Sequence, residues 1–425
     1  MISVFWHRRD LRIDDNHGLA KIAEKYTNVL PIFIFDTTIL EELEADDKRV
    51  SFIYLSLKKL KKKYQALGSD LFVLKGKPLD VLKQLNKNHS IQAIYTNRDY
   101  EPYAISRDRE VAQWASEYEI DFQTFKDHVM FEKDEINVDG RPYKVYTPYS
   151  KKWKAELGII PEYNLNAEAL NFELKQSLPS LESVGFREVL GVAPKVQLDD
   201  ATLYNYAENR NLPAKAATSN LGVYLRFGNT SIRKMVKLAK AKSEVFLNEL
   251  IWREFFMTIM WFYPESATHE LKTQYRGIPW ENNEDYFDAW RQGKTGFPIV
   301  DAGMRQLNET GMMHNRVRMI TASFLVKDLC IDWRWGEAYF AKKLMDFELS
   351  SNVGNWQWAA GTGTDAAPYF RVFNPTSQQE KFDPKFEYIK KWVPEFNTAS
   401  YPSSIVNHKE AREKILALYK THLNT

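Results

Sequence analysis

The 425-residue sequence holds a single cysteine, Cys330, so no internal disulfide can form and a reducing compartment is expected. No apolar run approaches the roughly 18 residues that a membrane helix needs. The N-terminus reads as a buried strand followed by charge rather than as a signal peptide, so a soluble, cytoplasmic monomer without a membrane partner is expected. Charge of one sign is scarce too, because 58 Lys and Arg against 56 Asp and Glu leave a net +2. Nucleic-acid binding would therefore need a local patch, as bulk charge does not supply it. His269, His314 and Cys330 show no ligand spacing, which argues against a metal centre. No GxGxxG follows the first apolar run, so a dinucleotide held by glycines is not expected there. Internal repeats and low-complexity tracts are also missing.

What is present is a change of pattern along the chain. Up to about residue 128, the runs ISVFW, VLPIFIF, DLFVLKG, IQAIYTN and IDFQTF alternate with amphipathic stretches. Apolar runs without polar alternation are buried on both faces, and helices between them are the crossovers that a parallel sheet requires. The spacing predicts a doubly wound α/β domain with a five-stranded parallel sheet over 1–128. Periodicity weakens over 129–198, a proline-punctuated connector with few long helical windows. From 199 to 425 the pattern is helical and aromatic-rich, and most of the 12 tryptophans fall there.

The stretch from Gly311 to Pro375 concentrates the chemistry. Asn315, Arg318 and Met319 fall at i, i+3 and i+4, so one helix face carries an amide, a fixed cation and a thioether. Asp346, Glu348, Asn352, Trp356 and Trp358 follow, then a Gly-rich loop. An aromatic-lined pocket with such groups suits a flat heterocycle with hydrogen-bonding edges, such as a flavin. Core packing is the better explanation of any one of these aromatics taken singly; their joint occurrence favours the pocket. Earlier in the chain, Tyr206, Arg210 and the turn Thr218, Ser219, Asn220, Leu221 and Gly222 offer hydroxyls and amides at a helix start, an arrangement suited to a pyrophosphate. A Ser-Asn turn that only caps a helix is the plainer alternative. Glu249, Trp252 and Arg253 repeat the i, i+3, i+4 geometry, with a Glu249–Arg253 pair on one helix as the plainer alternative.

The sequences WHRRDLR, HNRVRM, SFLVKDLCIDWRWGE and NVGNWQWAAGTGTDAAPYFRVFNP resemble the photolyase/cryptochrome family, over essentially the whole chain. The resemblance is greatest to class I cyclobutane pyrimidine dimer photolyases. It implies an all-helical FAD-binding domain after the sheet domain, and light-driven repair of ultraviolet-damaged DNA, by a deoxyribodipyrimidine photo-lyase. Under it, Tyr206, the turn 218–222, Arg318, Asp346, Phe347, Glu348 and Asn352 hold FAD, with Asn352 facing flavin N5. Gly222 and Glu348 stand where the family usually has Ser and Asp.

Glu249, Asn315 and Met319 would meet a flipped dimer between Trp252 and Trp358. Arg210, Arg253, Arg316, Arg371 and Gln378 would grip the DNA strand. Trp356, Trp333 and Trp280 would relay electrons from the surface to an oxidised flavin. An antenna chromophore is also implied, its identity left open. Folate-binding members read Tyr-Glu-x-Asn-Glu where this chain reads YEPYA at 100–104, so a folate antenna lacks its Asn-Glu pair.

A blue-light receptor cryptochrome would use the same FAD pocket. It typically lacks part of the dimer box and often adds a signalling tail, and this sequence has the box residues and little after YPSSIVNHKEAREKILALYK. The (6-4) photolyases present paired histidines where His314 is here followed by Asn315. An electron-transfer flavoprotein or a nucleotidyl-binding module would leave the Trp252, Trp358 and arginine sets unexplained.

Overall fold

The computed structural model describes residues 1–215 and 217–424. It divides into two compact units, one of residues 1–135, 154–196 and 220–241, the other of 136–153, 197–219 and 242–425. The segment between the sheet domain and the helical region is thus shared out, part to each unit.

The first unit is built on five parallel strands, β1 (Ile2–His7), β2 (Val29–Asp36), β3 (Phe72–Gly76), β4 (Ile91–Asn97) and β5 (Asp121–Phe125), in the order β3-β2-β1-β4-β5. All residues of β1 and β2 are buried, as expected of strands covered on both faces. The helices His17–Lys25, Lys48–Ala66, Pro78–His89 and Pro102–Glu117 supply the crossovers. Each begins on a local signal: Asn16 and Asp47 accept from backbone amides as N-caps, while Pro78 and Pro102 open the other two. The five-stranded α/β fold is the one the sequence predicts.

The second unit is helical apart from the two-residue strands Asn137–Val138 and Arg141–Pro142, among the described residues. Its core gathers Trp290, Trp333, Trp356, Phe324, Phe340 and Ile331, with Trp280 and Trp358 packed at its margin. Gly336 lets Trp356 approach closely, since a Cβ there would stand 2.1 Å from the indole. The helix Tyr146–Glu156 is the element that periodicity misses. It buries only Tyr149, Ser150 and Trp153, and is held by tertiary contacts such as Trp153 Nε1 donating to Glu254 Oε1 at 2.5 Å.

Candidate functional site

The helix Asn315–Ser323 opens at His314, whose Nδ1 accepts from the Arg316 amide at 3.2 Å. Burial, then Arg318 and Arg316, push the imidazole down to about 4, so it is neutral near pH 7 and keeps its acceptor lone pair. From this fixed start, Arg318 and Met319 reach a cavity of about 90 Å³ together with Asn315. The opposite walls come from the segment 344–348 and the helix Leu349–Ala360, through Asp346, Phe347, Glu348, Asn352, Trp356 and Trp358. The one-face reading of the sequence therefore assembles as expected: an amide, a guanidinium and a thioether line one cavity with carboxylates and indoles.

Hydrogen bonds orient these groups. Arg318 Nη2 donates to both oxygens of Asp346, at 2.9 and 3.1 Å, while its Nε donates to Met313 O at 2.8 Å. The guanidinium is thereby locked from two sides. Asn352 is buried, and its Nδ2 donates to Glu337 Oε1 at 2.8 Å and to Glu337 O at 3.1 Å. With both amide hydrogens used there, Oδ1 is the group that Asn352 has for a ligand, and it is an acceptor. Burial raises the Glu337 carboxyl, against the lowering effect of Asn352. Sequence reasoning missed Glu337. It lies inside the WRWGEAYF run, and no spacing rule links it to Asn352.

Glu348 is buried and paired with Arg253, Nε to Oε2 at 3.1 Å. Glu249 pairs with Arg210, and burial raises its carboxyl while Arg210 opposes this. Two of the four arginines expected on DNA phosphates, Arg210 and Arg253, thus already hold carboxylates. Arg316 differs: its Nη2 donates to Asn211 at 2.8 Å, its guanidinium lies 4.4 Å over the Phe382 ring, and its Nε is buried without a partner. Arg371 is exposed beside Phe373, and Gln378 is half-buried on the helix Pro375–Phe382.

Of the remaining predicted residues, all but Trp356 fall outside the cavity lining. Trp252 is half-buried, with Tyr146 stacked on it at 3.7 Å and Phe256 at 5.5 Å between ring centroids. Tyr206 is buried beside Phe246, and burial raises its phenol to about 12. The turn 218–222 runs from the second unit into the first. In the second, Ser219 is buried and its carbonyl accepts from Gln197 N at 3.0 Å. In the first, Asn220 takes left-handed backbone, φ 52°, and Leu221 precedes a helix that starts at Gly222 with no side-chain cap bond. Trp356 lines the cavity; Trp333 is fully buried, its Nε1 donating to Glu270 at 3.2 Å; Trp280 is half-buried. Among the described residues no His, Cys, Asp and Glu cluster could hold a metal, and no helix is long and apolar enough to cross a membrane.

The donor set fits a flavin. A locked guanidinium can face negative charge, an amide oxygen can accept from a ring N–H, and Phe340, Phe347 and Trp356 supply flat apolar walls, while Ala322 and Ala359 leave room between them.

Comparison with known proteins bears on this directly. Residues 3–168 match the model of the DNA photolyase domain and residues 246–400 that of the FAD binding domain of DNA photolyase. A deoxyribodipyrimidine photo-lyase from Synechococcus is 37% identical, over 98% of this chain and 96% of that protein. An archaeal photolyase from Sulfolobus tokodaii, solved with two FAD molecules, superposes with a TM-score of 0.87 at 36% identity, covering 99% of this chain and 100% of the other. A Synechocystis cryptochrome gives 0.84 at 25% identity, covering 98% and 99%. On this full-length similarity, and with an FAD-type cavity where the matched domain lies, the chain belongs to the DNA photolyase family and is an FAD enzyme.

Proposed function

We propose that the protein repairs cyclobutane pyrimidine dimers in DNA under light. The observation that carries this reading is one cavity lined both by flavin-type donors, Arg318, Asp346 and Asn352, and by the dimer-type groups Asn315, Met319 and Trp358. Bound reduced FAD, once excited, would supply the electron that opens the cyclobutane ring and receive it back afterwards.

The chain's own residues set the conditions. Arg318, held by Asp346, stabilises negative charge at the flavin site. Asn352 presents an acceptor and no acid, so it favours ring N–H and cannot deliver a full proton. Asn315, exposed at the first turn of its helix, offers its amide to a base edge. Trp358 gives the extruded pyrimidines a stacking surface; stacking is worth about 1–3 kcal/mol per base. Extrusion costs a few kcal/mol, least where damage has already broken pairing. The two are comparable, so damaged sites can be selected without sequence readout. Arg316 and Arg371 provide charge for the strand.

The test is repair of separate cyclobutane and (6-4) substrates in light and in darkness. Light-dependent loss of the cyclobutane dimer alone is expected; repair of neither substrate, with FAD present, would sink the proposal. Asn315→His should cut dimer repair at least tenfold, and unchanged repair would remove Asn315 from the site.

A further inference from the structure

Trp252 is expected to be one of two aromatic walls for the extruded bases, yet the structure surrounds its indole with other rings. Tyr146 lies parallel to it, with ring centroids 3.7 Å apart and planes at 4°. Phe256 sits 5.5 Å away at 29°. The Tyr146 hydroxyl donates to the carbonyl of Asn248 at 2.9 Å, one turn before Trp252 on the same helix. Burial, and after it the Glu249 carboxylate, hold this phenol in its neutral form. Farther along the helix that Tyr146 begins, Trp153 is bonded to Glu254, two residues beyond Trp252. The helix that Tyr146 begins is thus tied to the helix carrying Trp252 on both sides of that residue, by Tyr146 before it and Trp153 after it.

A half-exposed tryptophan on a helix surface samples more than one rotamer, and a base that stacks on it must first select one. A parallel ring at van der Waals distance, itself tethered by a hydrogen bond, removes that choice. We infer that Tyr146 is a positioning residue for lesion recognition, holding the Trp252 indole in a single orientation before DNA arrives. The inference rests on the dimer-repair reading and names a residue outside the set that the sequence points to. It also limits Trp252: one face is taken, so a base meets the part of the indole that Tyr146 does not cover.

The test uses the FAD-loaded protein and a duplex bearing one thymine cyclobutane dimer, with the undamaged duplex as control. Tyr146→Ala and the bulkier Tyr146→Leu should each weaken dimer binding about fivefold, as expected for loss of one aromatic pair. Affinity for undamaged duplex and FAD content should stay unchanged. Tyr146→Phe, which keeps the ring and loses the tether, should stay within about twofold of the wild type. In a Trp252→Ala background, Tyr146→Ala should add nothing, because the ring it positions is gone.

Equal or tighter dimer binding by Tyr146→Ala would overturn the inference, the second result marking Tyr146 as a plug. An undiminished effect in the Trp252→Ala background would overturn it too, as would loss of affinity for both duplexes alike. A readout without DNA separates this from failure of the dimer-repair reading. With fluorotryptophan labelling, the fluorine resonance missing in Trp252→Phe identifies Trp252; it should be single in the wild type and shift or broaden in Tyr146→Ala. An unchanged resonance would refute the positioning role whatever the DNA results.

Discussion

Two arginines, one in each unit, are used in opposite ways. In the sheet unit, buried Arg233 donates to Asp15 at 3.0 Å and to Asp127 at 2.8 Å, and Arg12 completes the set on Asp127 at 2.6 Å. Burial works against the Arg233 charge, but the two carboxylates outweigh it and raise its pKa. In the helical unit, Arg316 is lowered by burial, and then by Arg210 and Arg371. One cation is closed in by anions; the other stands among cations with a buried Nε unbonded. The first arrangement is complete without a ligand, whereas the second is improved by an incoming phosphate. Burial alone thus does not distinguish a structural arginine from a binding one; the sign of its neighbours does.

The largest effect expected from this contrast is on stability. Arg233→Ala removes the cation that joins buried Asp15 and Asp127, leaves Asp127 with Arg12 only, and should cost about 3–5 kcal/mol. Arg316→Ala should cost only about 1 kcal/mol, while weakening binding to dimer-containing DNA. Urea unfolding of both variants checks this, and equal losses would erase the contrast.

A smaller effect follows from His314, the cap of the helix that carries Arg316 and Arg318. Its folded-state pKa of about 4 lies below the ordinary 6.5. Its contribution is therefore full above pH 6.5 and is lost as pH falls toward 4. His314→Asn keeps an acceptor for the Arg316 amide and removes the titration. It should flatten the stability profile in that window by up to about 3 kcal/mol. A profile parallel to the wild type would show that His314 is not the titrating group.

Trp358→Ala comes next, with dimer binding weakened by about 1–3 kcal/mol and FAD retained. Equilibrium binding to dimer-containing and undamaged duplexes measures it, and an equal loss on both would place Trp358 on the strand rather than on the lesion.

The smallest and most diagnostic effect is the salt dependence. Four arginines on phosphates would give a slope near 3.6 in log affinity against log salt, and two give about 1.8. Since Arg210 and Arg253 already hold Glu249 and Glu348, the lower value is expected, about a tenfold loss between 50 and 200 mM salt. A slope near 3.6 would show that those pairs open on binding.

The reach of sequence reading varied with the separation it had to span. Asn315, Arg318 and Met319 were legible as one face because helical periodicity acts over four residues, and Asn352, Trp356 and Trp358 share a single helix. The partners of these residues were not legible. Glu337 on Asn352, Asn211 on Arg316 and Glu348 on Arg253 join positions 15 to 105 residues apart. Trp252 shows the same limit, since its helix position could be read but not the Tyr146 ring lying on it. The helix that starts at Tyr146 was hidden because three buried residues make too weak a stripe.

What the amino-acid sequence determined by itself was the five-stranded parallel sheet, the helical region after it and the groups that face one cavity. All of these follow from local periodicity and from the chemistry of residues a turn or two apart. Only the tertiary structure decided which charges are already neutralised, which way the Asn352 amide points and which face of Trp252 is covered. Each of those depends on a partner brought in by folding, and the free energy of a charge, an amide or a ring is set by what it touches.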